Sequence, residues 1–189
     1  GLLRLILPEL PPQTWLRFLT SHPKDMSEQL IGLIAAERAL CRQIHLPVQH
    51  GSDRVLRAMG RGYSRAHYLT LVDKIRAAVP GVSLTTDLMV GFPGEDDADH
   101  RETLELMETV EFDDAFMYRY NSREGTRAFL LGDPVPDPVK RDRLTEVIEL
   151  QRGISRRRRR RRLGSLEPVL VEGVSKKDPS ELLGRTEAD

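Results

Sequence analysis

Short β-like runs alternate with longer segments of helical periodicity along most of this chain, and that alternation limits the possible folds more than any other feature. It is the pattern of repeated βα units beside a parallel sheet, so an α/β architecture is expected. Runs at Trp15 to Thr20, Gln43 to Val48, Ser83 to Val90 and Ala115 to Tyr120 read as strands. The first helix is opened by Asp25 with Glu28 three residues on, a capping-box spacing that turns Leu30, Ile31 and Ile34 inward. A short helix passes through Val55, Leu56 and Met59, and Ser64 caps a longer one. In the latter, Tyr68, Leu71, Val72, Ile75 and Val79 form one apolar stripe, which Pro80-Gly81 terminates. The next helix runs to about Val110 with Leu104, Met107 and Val110 inward. After the Pro-rich connector Asp133 to Pro138, Asp137 and Pro138 suit the N-cap and first position of a last helix. That helix carries Leu144, Val147, Ile148 and Gln151 and fades into a run of arginines. About four βα units are half of the eight in a closed barrel, so the expected sheet is a partial, TIM-like barrel.

Beyond Gly164 the texture changes. Pro168 to Glu172 reads as a strand and Ser175-Lys176-Lys177-Asp178 as a polar turn, which divides the chain into a partial barrel over residues 1–163 and the start of a small β domain over 164–189. No run approaches the roughly 20 apolar residues of a membrane span, and Gly1 to Leu10 lacks the basic start and small-residue site of a secretory leader, so a cytoplasmic location is expected. A single cysteine, Cys41, excludes an intrachain disulfide and a cysteine-held cluster built from this chain alone. The formal net charge of zero hides an asymmetry. Seven of the 29 basic residues stand together at Arg156 to Arg162; the remaining 22 face 29 acidic residues, net −7. Such a block reads either as a phosphate-backbone contact or as a solvated stretch of helix.

Binding residues collect in the loops after parallel strands, and here those loops are rich in specific polar residues. They are His45-Leu46-Pro47-Val48-Gln49-His50-Gly51-Ser52, then Thr86-Asp87 leading to Gly91-Phe92-Pro93-Gly94-Glu95, then Tyr120-Asn121-Ser122-Arg123-Glu124-Gly125-Thr126. In this order, with Arg61-Gly62-Tyr63 between the first two, they resemble the radical-SAM methylthiotransferase family. The likeness extends from Ser21-His22-Pro23-Lys24-Asp25 to Val169-Leu170-Val171-Glu172-Gly173, Ser175-Lys176-Lys177 and Gly184-Arg185-Thr186. His45, Arg61-Gly62-Tyr63 and Asp113 to Thr126 are similar to the tRNA-modifying branch; His50 departs from it, since that branch more often has Ser there.

The resemblance implies a barrel that binds S-adenosylmethionine and a [4Fe-4S] cluster, with a second [4Fe-4S] cluster in an N-terminal domain. It implies addition of a methylthio group to an isopentenyl-modified adenosine beside the tRNA anticodon, with tRNA as partner. The terminal β segment resembles the start of a TRAM domain, a small RNA-binding barrel. The family's cluster cysteines precede the segment matched here, which corresponds roughly to barrel strands three to six, so the chain alone is expected to be inactive without that N-terminal region.

Gln49 and Ser52 would hydrogen-bond the ribose or amino-acid part of the cofactor, although Ser52 also suits the cap of the helix at Asp53. Asp87 sits in an apolar strand, where a carboxylate is costly unless paired or facing a cavity, so it is expected at the cofactor or in an ion pair. Glu95 would bind at the cofactor by ordering the Gly-rich turn, or else cap a helix. Arg123 would present its fork to the cofactor carboxylate or to RNA, or pair beside Glu124. Arg61 and Tyr63 would contact RNA, Tyr63 by stacking on a splayed base or else packing on its own helix. Lys176, Lys177 and Arg185 would contact phosphates. His45 reads as a satisfied strand histidine and Cys41 as a small buried apolar residue. Two other readings stay open: a non-catalytic RNA-binding remnant, and the ribosomal-protein branch of the same family. Exposed strand faces and edges predict a marginal or aggregating chain.

Overall fold

The computed structural model describes residues 1–19, 22–132 and 134–188. Thr20, Ser21 and Asp133, which the expected first strand, the following loop and the connector include, lie outside the described residues. In order, the elements are α1 (Leu2–Ile6), α2 (Glu28–Ala36), β1 (Gln43–His45), α3 (Asp53–Ala58), α4 (Arg65–Ala78), β2 (Ser83–Val90), α5 (Asp97–Val110), β3 (Asp114–Arg119), α6 (Asp137–Arg161), β4 (Leu170–Val174) and β5 (Leu182–Arg185). Strands β1, β2 and β3 form a parallel sheet in that order, with Ile44 opposite Leu84 and Asp87 opposite Phe116. Consecutive parallel neighbours joined through helices are the expected βα pattern, and the α/β reading holds.

Alternation along β2 explains how the sheet is used. Leu84, Thr86, Leu88 and Val90 are buried, while Thr85, Asp87 and Met89 are half-buried and point to the opposite face. The buried side meets the helices. Ile31 and Ile34 of α2, the stripe Tyr68, Leu71, Val72 and Ile75 of α4, Leu106, Met107 and Val110 of α5, and Val147 and Ile154 of α6 form one apolar cluster with Ile44, Leu84 and Leu88. No helix covers the other face of β3, where Phe116 and Tyr118 are 59% and 53% exposed.

Four local expectations need correction. The segment at Trp15 forms no strand; Leu16 makes a single parallel bridge to Leu40, donating to Ala39 O and accepting from Cys41 N. The first long helix is capped by Ser27, whose Oγ accepts from Leu30 N at 3.2 Å, because Pro23–Asp25 are spent on a 3-10 turn. Strand β1 stops at His45 rather than Val48. Pro47 has no N–H to give, and Val48 N donates to Thr86 Oγ1 at 3.0 Å in place of a ladder bond, before pairing resumes at Gln49 opposite Leu88. Lastly, α6 does not fade at the arginine run but stays helical to Arg161. The terminal segment is an antiparallel hairpin, β4 with β5, bearing a register shift between Val171 and Gly173.

Candidate functional site

Three loops meet at the C-terminal ends of the parallel strands, and each is held by a specific device. In the first, Tyr63 Oη donates to Val48 O at 2.9 Å and Tyr68 Oη to Leu46 O at 2.7 Å, which takes up carbonyls the interrupted ladder leaves free. Gly51 lets α5 approach: a Cβ there would stand 2.4 Å from Thr103 Cα. Gln49 is then fixed at φ +71, a conformation rare outside glycine, by backbone bonds to Asp87 O and from Met89 N at 2.8 Å each.

The second loop turns at Gly91, φ +73, where a Cβ would meet the Lys140 stem. Glu95, fully enclosed, closes it: Oε2 accepts from Phe92 N at 3.0 Å and Oε1 from Arg143 Nη1 at 3.1 Å. His50 lies against the same carboxylate at 3.4 Å and accepts from Ser52 N at Nδ1, which places its proton on Nε2, facing Glu95. Ser52 makes no side-chain cap for α3 and instead donates to Asp99 Oδ1 at 2.6 Å. Burial pushes the Asp99 carboxyl up, but hydrogen bonds from Asp96 N, Ser52 and Arg54 outweigh it and hold Asp99 below its ordinary value.

Between these loops and the third, Asn121 to Ala128, lies a cavity of about 610 Å³. Gln49, Asp87, Arg123 and Arg61 all line it, over an apolar floor of Met89, Phe92 and Tyr120. Phe92 and Tyr120 meet edge to face at 5.4 Å. The cavity is cationic. Arg57, Arg119 and Arg127 join Arg61 and Arg123 around it, and none of the five forms an ion pair or side-chain hydrogen bond with a described residue, while among the described residues Asp87 is the one carboxylate in the wall. Asp87 Oδ1 faces His45 Nε2 at 3.4 Å, and His45 Nδ1 lies 2.9 Å from Thr85 Oγ1. The phenol of Tyr120 is buried with no partner among the described residues.

Not every expected site residue reaches this cavity. Ser52 and Glu95 lie in the polar network beneath it. Tyr63 is 9% exposed, packed edge-on to His22 at 5.2 Å, and burial pushes its phenol up to about 12, so it braces the first loop from inside instead of offering a ring to solvent. Lys176 and Lys177 are exposed in the β4–β5 turn, and Arg185 pairs with Glu172 at 2.8 Å. Arg123 forms no pair beside Glu124; only its carbonyl is engaged, accepting from Thr126 Oγ1. Arg57, Arg119 and Arg127 escape a reading by motif, since an arginine near the end of a helix or strand, or in a turn as Arg127 is, has no distinguishing neighbour in sequence.

The profile of the radical SAM superfamily matches residues 2–107, more than half of the chain. The chain belongs to the radical SAM superfamily. Its radical SAM portion also resembles solved members in shape: coproporphyrinogen III oxidase from Escherichia coli, described as a radical SAM enzyme, superposes on 81% of this chain and 36% of its own with a TM-score of 0.66 at 18% identity, a likeness of fold. Among curated proteins, tRNA-2-methylthio-N(6)-dimethylallyladenosine synthases are similar over nearly all of it. Those of Treponema pallidum (strain Nichols) and Treponema denticola are 53% and 49% identical over 173 residues, 92% of this chain. That of Carboxydothermus hydrogenoformans is 50% identical over 170 residues. The chain spans about 38% of the length of the Treponema relatives.

Proposed function

We propose that this chain is the part of a tRNA methylthiotransferase that builds the cofactor and substrate pocket, in an enzyme that adds a methylthio group to an isopentenyl-modified adenosine beside the anticodon. The observation that carries this reading is the cavity at the strand ends, where five guanidiniums with no ion pair among the described residues surround the carboxylate of Asp87. Most of that wall suits the phosphates of an RNA backbone, while Asp87 leaves in it a place for a cationic group. S-adenosylmethionine fits the donor set: Arg123 for its carboxylate, Asp87 for its ammonium or sulfonium, the Gln49 amide for its ribose hydroxyls, Met89 and Phe92 for its adenine. When bound and given one electron by a donor outside these residues, that cofactor would release methionine and supply a 5′-deoxyadenosyl radical. The protein's own contribution is to hold it: the strained Gln49 backbone aims one amide, and the Glu95–Arg143 and Ser52–Asp99 pairs keep the loops from moving. The remaining arginines, Arg57, Arg61, Arg119 and Arg127, would receive the RNA phosphates around the target base. Lys176, Lys177 and Arg185 on the terminal hairpin would add phosphate contacts as the start of a TRAM domain, and a tRNA substrate implies a cytoplasmic site of action.

An iron-sulfur cluster does not fit the residues of this chain. Cys41 is buried before β1, at the end of the sheet opposite the cavity, and burial pushes its thiol up against the weaker opposing influence of Arg17. Among the described residues no three His, Cys, Asp or Glu side chains are grouped to hold a metal. Cluster ligands would come from outside these residues.

Nucleoside analysis of tRNA tests the reading. Cells lacking the intact protein should accumulate isopentenyl-adenosine without its methylthio group, and the wild-type gene should restore it. Asp87→Asn or Arg123→Ala should lower restoration at least tenfold. Unaltered tRNA in the deleted cells would overturn the assignment.

A further inference from the structure

The seven consecutive arginines are not one block once they are wound into α6. Helical geometry sorts them by face. Arg157 pairs with Glu108 at 2.8 Å, Arg158 forks onto Asp113 at 3.0 and 2.9 Å, Arg161 meets Glu111 at 2.7 Å and Arg162 pairs with Glu167. The first three clamp the helix end to the acidic body, and Arg162 ties it to the segment that follows. Arg156, Arg159 and Arg160, with Arg152 one turn earlier, lie on another face, exposed, and form no ion pair or side-chain hydrogen bond with a described residue.

Those four line a groove of about 620 Å³ along the outer edge of β3, floored by Met117, Ile148 and Leu163. Among the described residues Asp114 is the only carboxylate in its wall, and its Oδ1 already accepts from Ala115 N. From Arg152 to Arg160 the stripe extends about 12 Å at 1.5 Å per residue. Like charges at i,i+4 and i,i+3 repel, so Arg152, Arg156, Arg159 and Arg160 destabilise the helix until an anion neutralises them. The groove follows β3 from Asp114 to Met117, and the arginine-lined cavity takes over at Tyr118 and Arg119, so the two cationic sites succeed one another along one strand. Neighbouring cationic sites suit one extended polyanion better than two small anions.

We infer that the Arg152-Arg156-Arg159-Arg160 face of α6 is a second RNA-binding surface that grips the phosphate backbone without reading bases, while the other arginines of the run hold the helix in place. RNA is favoured because guanidinium forks at one-turn spacing match repeated phosphates, and the groove's neutral polar side chains, Gln151 and Ser155, are buried and donate to Phe112 O and Asp113 O instead of turning to a base. This rests on tRNA being the substrate, and the test separates the two.

The measurement is RNA binding by the intact protein across a salt series, using tRNA and an unrelated stem-loop of similar length. The variant R156Q/R159Q/R160Q should lower the slope of log affinity against log salt by about 2, and weaken binding about tenfold at low salt on both RNAs alike. R156K/R159K/R160K, which keeps the charge, should restore the slope and guards against a folding defect. R4Q/R38Q/R101Q removes three exposed arginines elsewhere and should leave the slope unchanged. A slope unaltered in the glutamine variant overturns the inference, as does an equal fall in the control, or a loss confined to binding of an acidic protein. If the salt slope responds as expected but the wild type adds no methylthio group to tRNA, the proposed function fails and this surface stands. If methylthiolation persists with an unresponsive slope, only the surface fails.

Discussion

Glu95 is a carboxylate with no access to solvent, held by a backbone N–H and by Arg143. Removing one partner of such a pair strands the other, so Glu95→Ala should destabilise the protein by about 3 kcal/mol in chemical denaturation. A loss under about 1 kcal/mol would mean that Arg143 finds Asp97 enough. Asp99 gives a pH signature. Its folded value lies below its ordinary 3.8, so its contribution is complete above about pH 4 and drains away as pH falls through the folded value. Asp99→Asn should therefore flatten the acid side of the stability profile, and an unchanged acid limb would contradict the role given to Ser52 and Arg54. Gly51→Ala should cost about 2 kcal/mol, because its Cβ meets the α5 backbone and not a flexible side-chain end. At this scale the sequence was readable where a residue's partners were local. Ser64 as a cap and Asp87 facing a cavity follow from neighbours in the chain. Ser52 and Glu95 were not, because their partners Asp99 and Arg143 stand 47 and 48 residues away.

Strand β2 and helix α4 are the elements most plainly written in the sequence. A run of strand-forming residues ending in Leu88-Met89-Val90 marks 83–90, with burial alternating from Leu84 onward, and a stripe bounded by Ser64 and Pro80-Gly81 marks 65–78. The segment at Trp15 looked like a strand by residue type, yet its single bridge at Leu16 shows that pairing is decided by what lies alongside. The arginine run misleads in the other direction. Charge density suggested fraying, whereas Glu108, Glu111 and Asp113 stand where the helix period places Arg157, Arg158 and Arg161. Most of those pairs are exposed and add little. Amide exchange should accordingly be slow through the buried Ile154 and Ser155 and markedly faster from Arg159 onward; uniform protection to Arg161 would contradict this account of the helix end.

At the scale of the whole molecule, one face of the parallel sheet is packed under helices and the other presents His45, Phe116 and Tyr118 to an open cavity of about 700 Å³. The 189-residue chain in isolation should therefore bind an apolar dye or self-associate, and a monomer melting cooperatively without either would show that this face needs no cover. The central claim is that the three loops at the strand ends make the cofactor pocket. It is tested most directly by equilibrium binding of S-adenosylmethionine to the intact protein and to Gln49→Ala, Asp87→Asn and Arg123→Ala, with Lys176→Ala as control. The account predicts at least tenfold weaker binding in each of the three pocket variants and none in the control, whereas affinity unchanged in all three would place the cofactor elsewhere.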